Sequence, residues 1–126
     1  SPDEPRPDLY TIPFKRELID LILTGQKVKT YRYGNKFAYL RVGDPVLIQN
    51  SQTKEIACSA IVTDKQLTTF KDLPLKEPGH EPYASKAQQR QVFSQYYAYI
   101  GREIADSDPF IIFEYQLTLT SNIKSV

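Results

Sequence analysis

In the stretch Gly25-Gln26-Lys27-Val28-Lys29-Thr30-Tyr31-Arg32, an ammonium, a hydroxyl and a guanidinium fall within a few residues of one another. Period-two alternation in an extended chain puts Thr30 and Arg32 on one face. Lys27 stands at the entrance to that strand, where curvature can swing its side chain toward the other two. Such a set has a catalytic use and a binding use. A threonine hydroxyl attacks a carbonyl only when a base takes its proton. Lys27 is such a base only if desolvation or neighbouring cations, Lys29 and Arg32, lower its pKa toward neutrality. Arg32, or a backbone N–H near Gly25, would then steady the developing oxyanion. For binding, Tyr31, Tyr33 and Tyr39 interleave with Lys27, Lys29, Arg32 and Arg41, a pattern that stacks unpaired bases and pairs nearby phosphates. Spacing alone equally allows Lys27 as a solvated turn residue, Thr30 as an ordinary strand residue, and tyrosines that merely cover a sheet face.

The only histidine, His80, lies in a Pro-rich loop close to Glu77 and Glu81. Its surroundings predict a solvated ring, the alternative being a substrate contact or an acid–base group tuned by either Glu. No cysteine stands at zinc spacing from it, Gly25-Gln26-Lys27 lacks the spacing of a phosphate loop, and no Ser-His-acid grouping is recognisable. No metal and no cofactor are therefore expected, and an enzyme on this sequence would be metal-independent. Cys58 alternates with Ile56, Ala60 and Val62 and reads as a small core residue.

The elements that must position these groups follow from periodicity. A short strand over Leu9 to Phe14 is placed at an edge, or stopped, by Pro13. Leu18, Ile19, Leu21, Ile22 and Leu23 then predict a helix over 16–24, closed by Gly25. So short a helix needs a sheet or a barrel mouth to dock on, which fixes the turn that follows it. Further strands are expected over 27–33, 37–40, 46–50, 55–63 and 110–119, the last of them central. One helical turn is expected at Phe70 to Asp72, then an irregular loop with Pro74, Pro78, Gly79 and Pro82 crossing another element. Ser85 and Gln88 make a capping box for a helix over 85–100, with Val92, Phe93, Tyr96, Tyr97 and Ile100 inward. In the Tyr96-Tyr97-Ala98-Tyr99 run at least one ring must be exposed or grip a partner. Short turns and no regular strand-helix-strand crossover predict a small mixed β-barrel of five or six strands and two main helices, its first strand closing against its last.

Composition sets the frame. The chain has 126 residues, 40% of them apolar and 25% charged, which suits one ordinary globular domain, placed at 9–119 between a disordered lead-in, 1–8, and a tail, 120–126. The net charge of +1 hides an uneven distribution. Lys27, Lys29, Arg32, Lys36 and Arg41 come without an intervening carboxylate, and Glu103, Asp106, Asp108 and Glu114 without an intervening base. That suits an anionic partner contacted locally, not a coat on long duplex, although basic side chains also guard an edge strand. One cysteine precludes an intrachain disulfide, no apolar run reaches membrane length and no signal peptide opens the chain. A cytoplasmic protein without a membrane partner is expected. Ser1 and the lack of Met suggest a processed or trimmed start, leaving a larger chain, and contacts with other protein chains, open.

The order short helix, Gly25-x-Lys27, Thr30-x-Arg32 resembles the signature of the ASCH family, a branch of the PUA-like barrel superfamily. Val42-Gly43-Asp44-Pro45-Val46 looks like the family's glycine-aspartate turn, and Ile112-Phe113-Glu114-Tyr115 like its closing strand. The resemblance spans about 12–119; Pro74 to Gly101 departs from it. It implies a barrel with a cleft beside the helix, used by related domains to hold RNA or a modified base. Some small bacterial members are amidohydrolases that remove the acetyl group of 4-N-acetylcytidine, with a Lys as proton acceptor, a Thr as nucleophile and a later Glu as proton donor. Matched motif to motif, these are Lys27, Thr30 and Glu81, with Glu77 as the fallback. The leading expectation is binding of single-stranded RNA or a modified nucleoside in a basic cleft, through Lys29, Tyr31, Arg32, Tyr33, Tyr39, Arg41 and His80. Hydrolysis of acetylated cytidine comes next, and a structural or protein-interaction domain third. Lys27, Thr30 and Arg32 should converge on a concavity closed by the 74–84 loop. As a proton donor, Glu81 should have a raised pKa.

Overall fold

Residues 10–118 are described by the structure, a computed structural model. The lead-in 1–8 and the tail 120–126, with Leu9 and Leu119, lie outside the described residues. The elements are β1 (Thr11–Phe14), α1 (Arg16–Leu23), β2 (Lys29–Tyr33), β3 (Pro45–Asn50), β4 (Ile56–Thr69), α2 (Lys86–Tyr96) and β5 (Pro109–Leu117). One mixed sheet carries the strands in the order β1-β3-β4-β5-β2. β1 and β3 run parallel, and every other pair is antiparallel.

β5 is central, as its dense aromatic and β-branched content leads one to expect. Its alternation feeds two cores. Ile111, Phe113 and Tyr115 join Ile12, Ile19, Ile22 and Val46 under α1. Phe110 and Ile112 join Phe70, Tyr83 and Phe93 under α2. Neighbouring residues of one strand thus bury opposite faces, which requires apolar side chains at consecutive positions.

The expected barrel is not formed. β1 and β2 are the edges of an open sheet, and β5 pairs with β4 and β2, never with β1. Across the gap stands Arg32, whose Nη2 donates to the Pro13 carbonyl at 2.7 Å and whose guanidinium lies 4.5 Å from the Phe14 ring centroid. A side chain between two edges keeps their backbones from the roughly 4.8 Å spacing of a ladder, and Pro13 has no N–H to offer one.

Other boundaries also differ. Residues 37–40 form turns, with Leu40 N–H on the Phe37 carbonyl at 3.1 Å. Phe37 and Leu40 are buried while Tyr39 is exposed, an i, i+3 spacing and not strand alternation. β4 continues past the expected residue 63 to Thr69, bending at an irregularity between Val62 and Asp64 and staying paired with β5. α2 stops at Tyr96, and Ala98–Ile100 is a separate 3₁₀ turn. In α2 the fully inward side chains are Gln89 and Phe93, with Tyr96 at the surface; Tyr99 is 74% exposed. Ser85 Oγ does accept the Gln88 N–H at 3.0 Å, while the Gln88 side chain takes the N–H of Ala84. Cys58 is half-buried against the first core. Among the described residues no helix is long and apolar enough to cross a membrane.

Phe110 is 1% exposed and packs against the rings of Phe70, Phe93, Tyr33 and Tyr97. Phe110→Ala should cost about 3–5 kcal/mol in urea unfolding, whereas Tyr99→Ala should stay within about 0.5 kcal/mol. Equal losses would contradict this core.

Candidate active site

Lys27 is held by its backbone from both sides. Gly25 takes φ +83°, the left-handed conformation that ends α1, and the N–H groups of Gln26 and Lys27 both reach the Leu21 carbonyl at 3.0 Å. The Lys27 carbonyl accepts the Tyr115 hydroxyl at 3.3 Å. The turn therefore sends the side chain inward, where it is 2% exposed. Its Nζ donates to the Lys29 carbonyl and to Glu81 Oε1, each at 2.7 Å.

Glu81 arrives from the loop between β4 and α2, which docks on β2. The Gly79 carbonyl accepts from the N–H groups of Val28 and Lys29 at 2.9 and 3.1 Å. Only glycine suits this approach: φ is +88°, and a Cβ would stand 2.5 Å from Val28 Cγ2. Glu77 clamps the same loop through an ion pair with Lys29 at 2.8 Å and a short hydrogen bond from the Tyr31 hydroxyl. His80, between the two, stacks flat on Tyr31, centroids 3.7 Å apart and planes within 6°.

Thr30 and Arg32 share a face, as alternation requires, and Arg32 Nε donates to Thr30 Oγ1 at 3.1 Å. The gap between β1 and β2 opens into a cavity of about 170 Å³, the size class that holds a single ring, since benzene fits a cavity of about 150 Å³. Lys27, Thr30, Arg32, His80 and Glu81 all line it. Thus the loop, the base candidate and the hydroxyl meet at one space. A second groove between α1 and β5 is also lined by Lys27 but includes neither Thr30 nor Glu81.

Several sequence candidates lie elsewhere. Glu77 and Lys29 pair with each other outside the cavity wall. Tyr31 lines the cavity, yet it is 4% exposed and one face is already covered by His80. Tyr33 packs against Tyr97 and Phe110. Tyr39 and Arg41 are exposed on the turn after β2, away from the cavity. His80 is buried, against the expectation of a solvated ring, because the Gly79 carbonyl draws the loop onto β2. Lys15, Ser51, Tyr83 and Tyr96 also line the cavity and were not singled out by the sequence. They come from separate segments, and only the tyrosine run hinted at one of them. Among the described residues no group of three or more His, Cys, Asp or Glu could hold a metal ion.

Charge follows from burial and proximity. Burial pulls the Lys27 pKa down, Glu81 restores part of it, and Arg32 lowers it again; the net shift is downward. For Glu81 burial pushes upward, but the Lys27 ammonium and its hydrogen bond prevail, so the carboxyl is held below the usual range. The raised value expected for a proton donor is not what the resting site has. Burial and the nearby Lys27 charge lower His80 to about 4. His80 is therefore neutral near pH 7, and its 3.4 Å approach to Glu81 Oε1 is not an ion pair.

The fold is similar to that of solved ASCH domains. An ASCH domain from Lactobacillus crispatus superimposes with a TM-score of 0.57 at 16% identity, over 78% of this chain and 68% of that one. A protein from Enterococcus faecalis gives 0.64 at 12%, over 81% and 67%. A Tyr-to-Phe mutant of the ASCH protein of Zymomonas mobilis gives 0.56 at 14%, over 84% and 67%. At these identities the likeness is one of fold. No family model matches the sequence, and no curated protein matches it.

The buried histidine makes stability depend on pH. Its pKa falls from 6.5 in the free side chain to about 4 here, so between those values the unfolded chain binds the extra proton. Stability should then fall as pH drops from 6.5 to 4, by on the order of 3 kcal/mol. Below about pH 4.3 the depressed Glu77 and Glu81 add their own loss. Denaturant unfolding across pH should show both steps, and His80→Gln should flatten the upper one. A wild-type curve flat between pH 6.5 and 4 would contradict the buried neutral ring.

Proposed function

We propose that the protein is a metal-independent amidohydrolase that removes an acyl group from the exocyclic nitrogen of a cytidine-type nucleoside. The observation that carries this reading is the 2.7 Å contact of buried Lys27 with Glu81 at the wall of a ring-sized cavity that Thr30 also lines. In the proposed reaction Thr30 Oγ1 attacks the amide carbonyl while Lys27 takes its proton. Glu81 delivers a proton to the departing ring amine as the C–N bond breaks. Water then releases the carboxylic acid from the Thr30 ester. The Arg32 N–H on Thr30 Oγ1 favours the developing alkoxide.

A base and an acid need the amine and the carboxylic acid, whereas the resting pair is an ammonium and a carboxylate. Both states hold one proton between them, and a transfer along the 2.7 Å hydrogen bond interconverts them. A ring that fills the cavity removes water from the pair and so favours its uncharged form. The pair titrates in two shared steps, and the one-proton form that both roles need spans the interval between them.

Binding of single-stranded RNA or a modified nucleoside without turnover is the second reading. It is favoured by the same resting charges, which are the wrong ones for immediate acid–base work. Incubation with 4-N-acetylcytidine separates the two. The expected result is deacetylation that falls at least about 100-fold in Thr30→Ala and persists in Thr30→Ser. No turnover by wild type, with salt-sensitive binding of single-stranded RNA, would support the binding reading. Turnover unaffected by Thr30→Ala would remove the nucleophile.

A further inference from the structure

We propose that His80 Nε2 is a hydrogen-bond acceptor by which the cavity recognises an N–H on its ligand. The site would then select an amino- or amide-bearing base edge over keto or N,N-dialkylated counterparts. The proposal rests on the cavity being a nucleobase site, though not on hydrolysis.

The ring nitrogens are told apart by their surroundings. His80 Nδ1 lies 3.0 Å from the backbone carbonyl oxygen of Glu81. A carbonyl oxygen only accepts, so Nδ1 carries the proton. The neutral ring then keeps its lone pair on Nε2. Neutrality is secured by burial and by the Lys27 ammonium, which together bring the pKa to about 4.

Nε2 is also unpaired: among the described residues it has no hydrogen-bond partner, yet none of their buried side-chain nitrogens or oxygens is left without one. Nε2 is therefore not sealed in the core, and His80 lines the cavity. Its direction is set by packing: Tyr31 covers one face at 3.7 Å, and Tyr83 lies at 5.9 Å. Tyr31 is in turn held by Glu77. On the same wall Lys27 and Arg32 can only donate, and the Glu81 carboxylate already accepts from Lys27. An acceptor beside them gives the wall a polarity that a cytosine-type edge, with one exocyclic donor next to ring acceptors, complements. A keto oxygen there would face a lone pair with a lone pair. A site built to bond an N–H discriminates strongly against ligands that lack it.

The chain has one histidine, so its ring nitrogens give an unambiguous long-range ¹H–¹⁵N spectrum. In the free protein Nδ1 should be protonated and Nε2 of the unprotonated type. Cytidine should shift Nε2 selectively and bind about 10-fold or more tighter than N4,N4-dimethylcytidine or uridine. His80→Gln, which offers an amide oxygen at similar reach, should keep that preference. His80→Phe, which keeps the stack on Tyr31 without an acceptor, should lose it, with thermal melts checking that both variants fold. An Nε2-protonated tautomer, an unmoved Nε2 signal at saturating cytidine, or no cytidine binding would each overturn the proposal. So would unchanged discrimination in a folded His80→Phe. These nucleosides carry no acyl group, so loss of the hydrolase reading leaves the result standing.

Discussion

Removing the Lys27 ammonium from water, with a single carboxylate to offset the lost hydration, is the constraint that the surrounding structure answers to. Desolvating such a charge costs several kcal/mol even after relaxation, and an ion pair of this kind is weak evidence for stability. The surroundings instead serve to bring one carboxylate to one place. Glu81 lies 54 residues from Lys27 in sequence. It reaches the pair only because Gly79 lets the loop bond to the Val28 and Lys29 amides, with Glu77 clamping it to Lys29 and Tyr31. The alternative partners are separated by the same register: Glu77 meets Lys29 outside the cavity and Glu81 meets Lys27 inside it.

The open sheet is the second half of the arrangement. A ladder between β1 and β2 would fill the space that a ligand needs. Arg32 holds that gap at a defined width through Pro13 and Phe14, and the same guanidinium supports the Thr30 hydroxyl. One side chain thus holds both the gap and the Thr30 hydroxyl, so Arg32→Lys, which lacks the planar fork, is not a conservative change here.

Local signals in the sequence were reliable where local interactions decide. Leu18 to Leu23 and Gly25 mark α1 and its end, Ser85 marks the start of α2, and the apolar run 110–113 marks a strand covered on both faces. Strand order was not legible. A four-residue β1 carries no register information, and whether it pairs with β3 or β5 depends on contacts far along the chain. The Phe37 and Leu40 pair looked like part of a strand because a short apolar run does not reveal its period. In the site, Lys27, Thr30 and Arg32 were legible from spacing, and Glu81 only through the family resemblance. His80 reads as solvated in the sequence because a Pro-rich, polar loop gives no sign that its backbone will dock on a strand. Lys15, Ser51 and Tyr83 carried no signal, since each enters the cavity from a different segment.

In the proposed reaction Lys27 and Glu81 act as one proton-sharing unit on a substrate that Thr30 attacks. A double-mutant cycle on 4-N-acetylcytidine hydrolysis tests it most directly, using Lys27→Met, Glu81→Gln and both together. Groups that act as a unit lose their effect together. Each single change should therefore lower kcat/KM severely, and the double variant should be no slower than the slower single one. Losses that multiply, singles that leave turnover intact, or a wild type that leaves the substrate unchanged would contradict the proposed reaction.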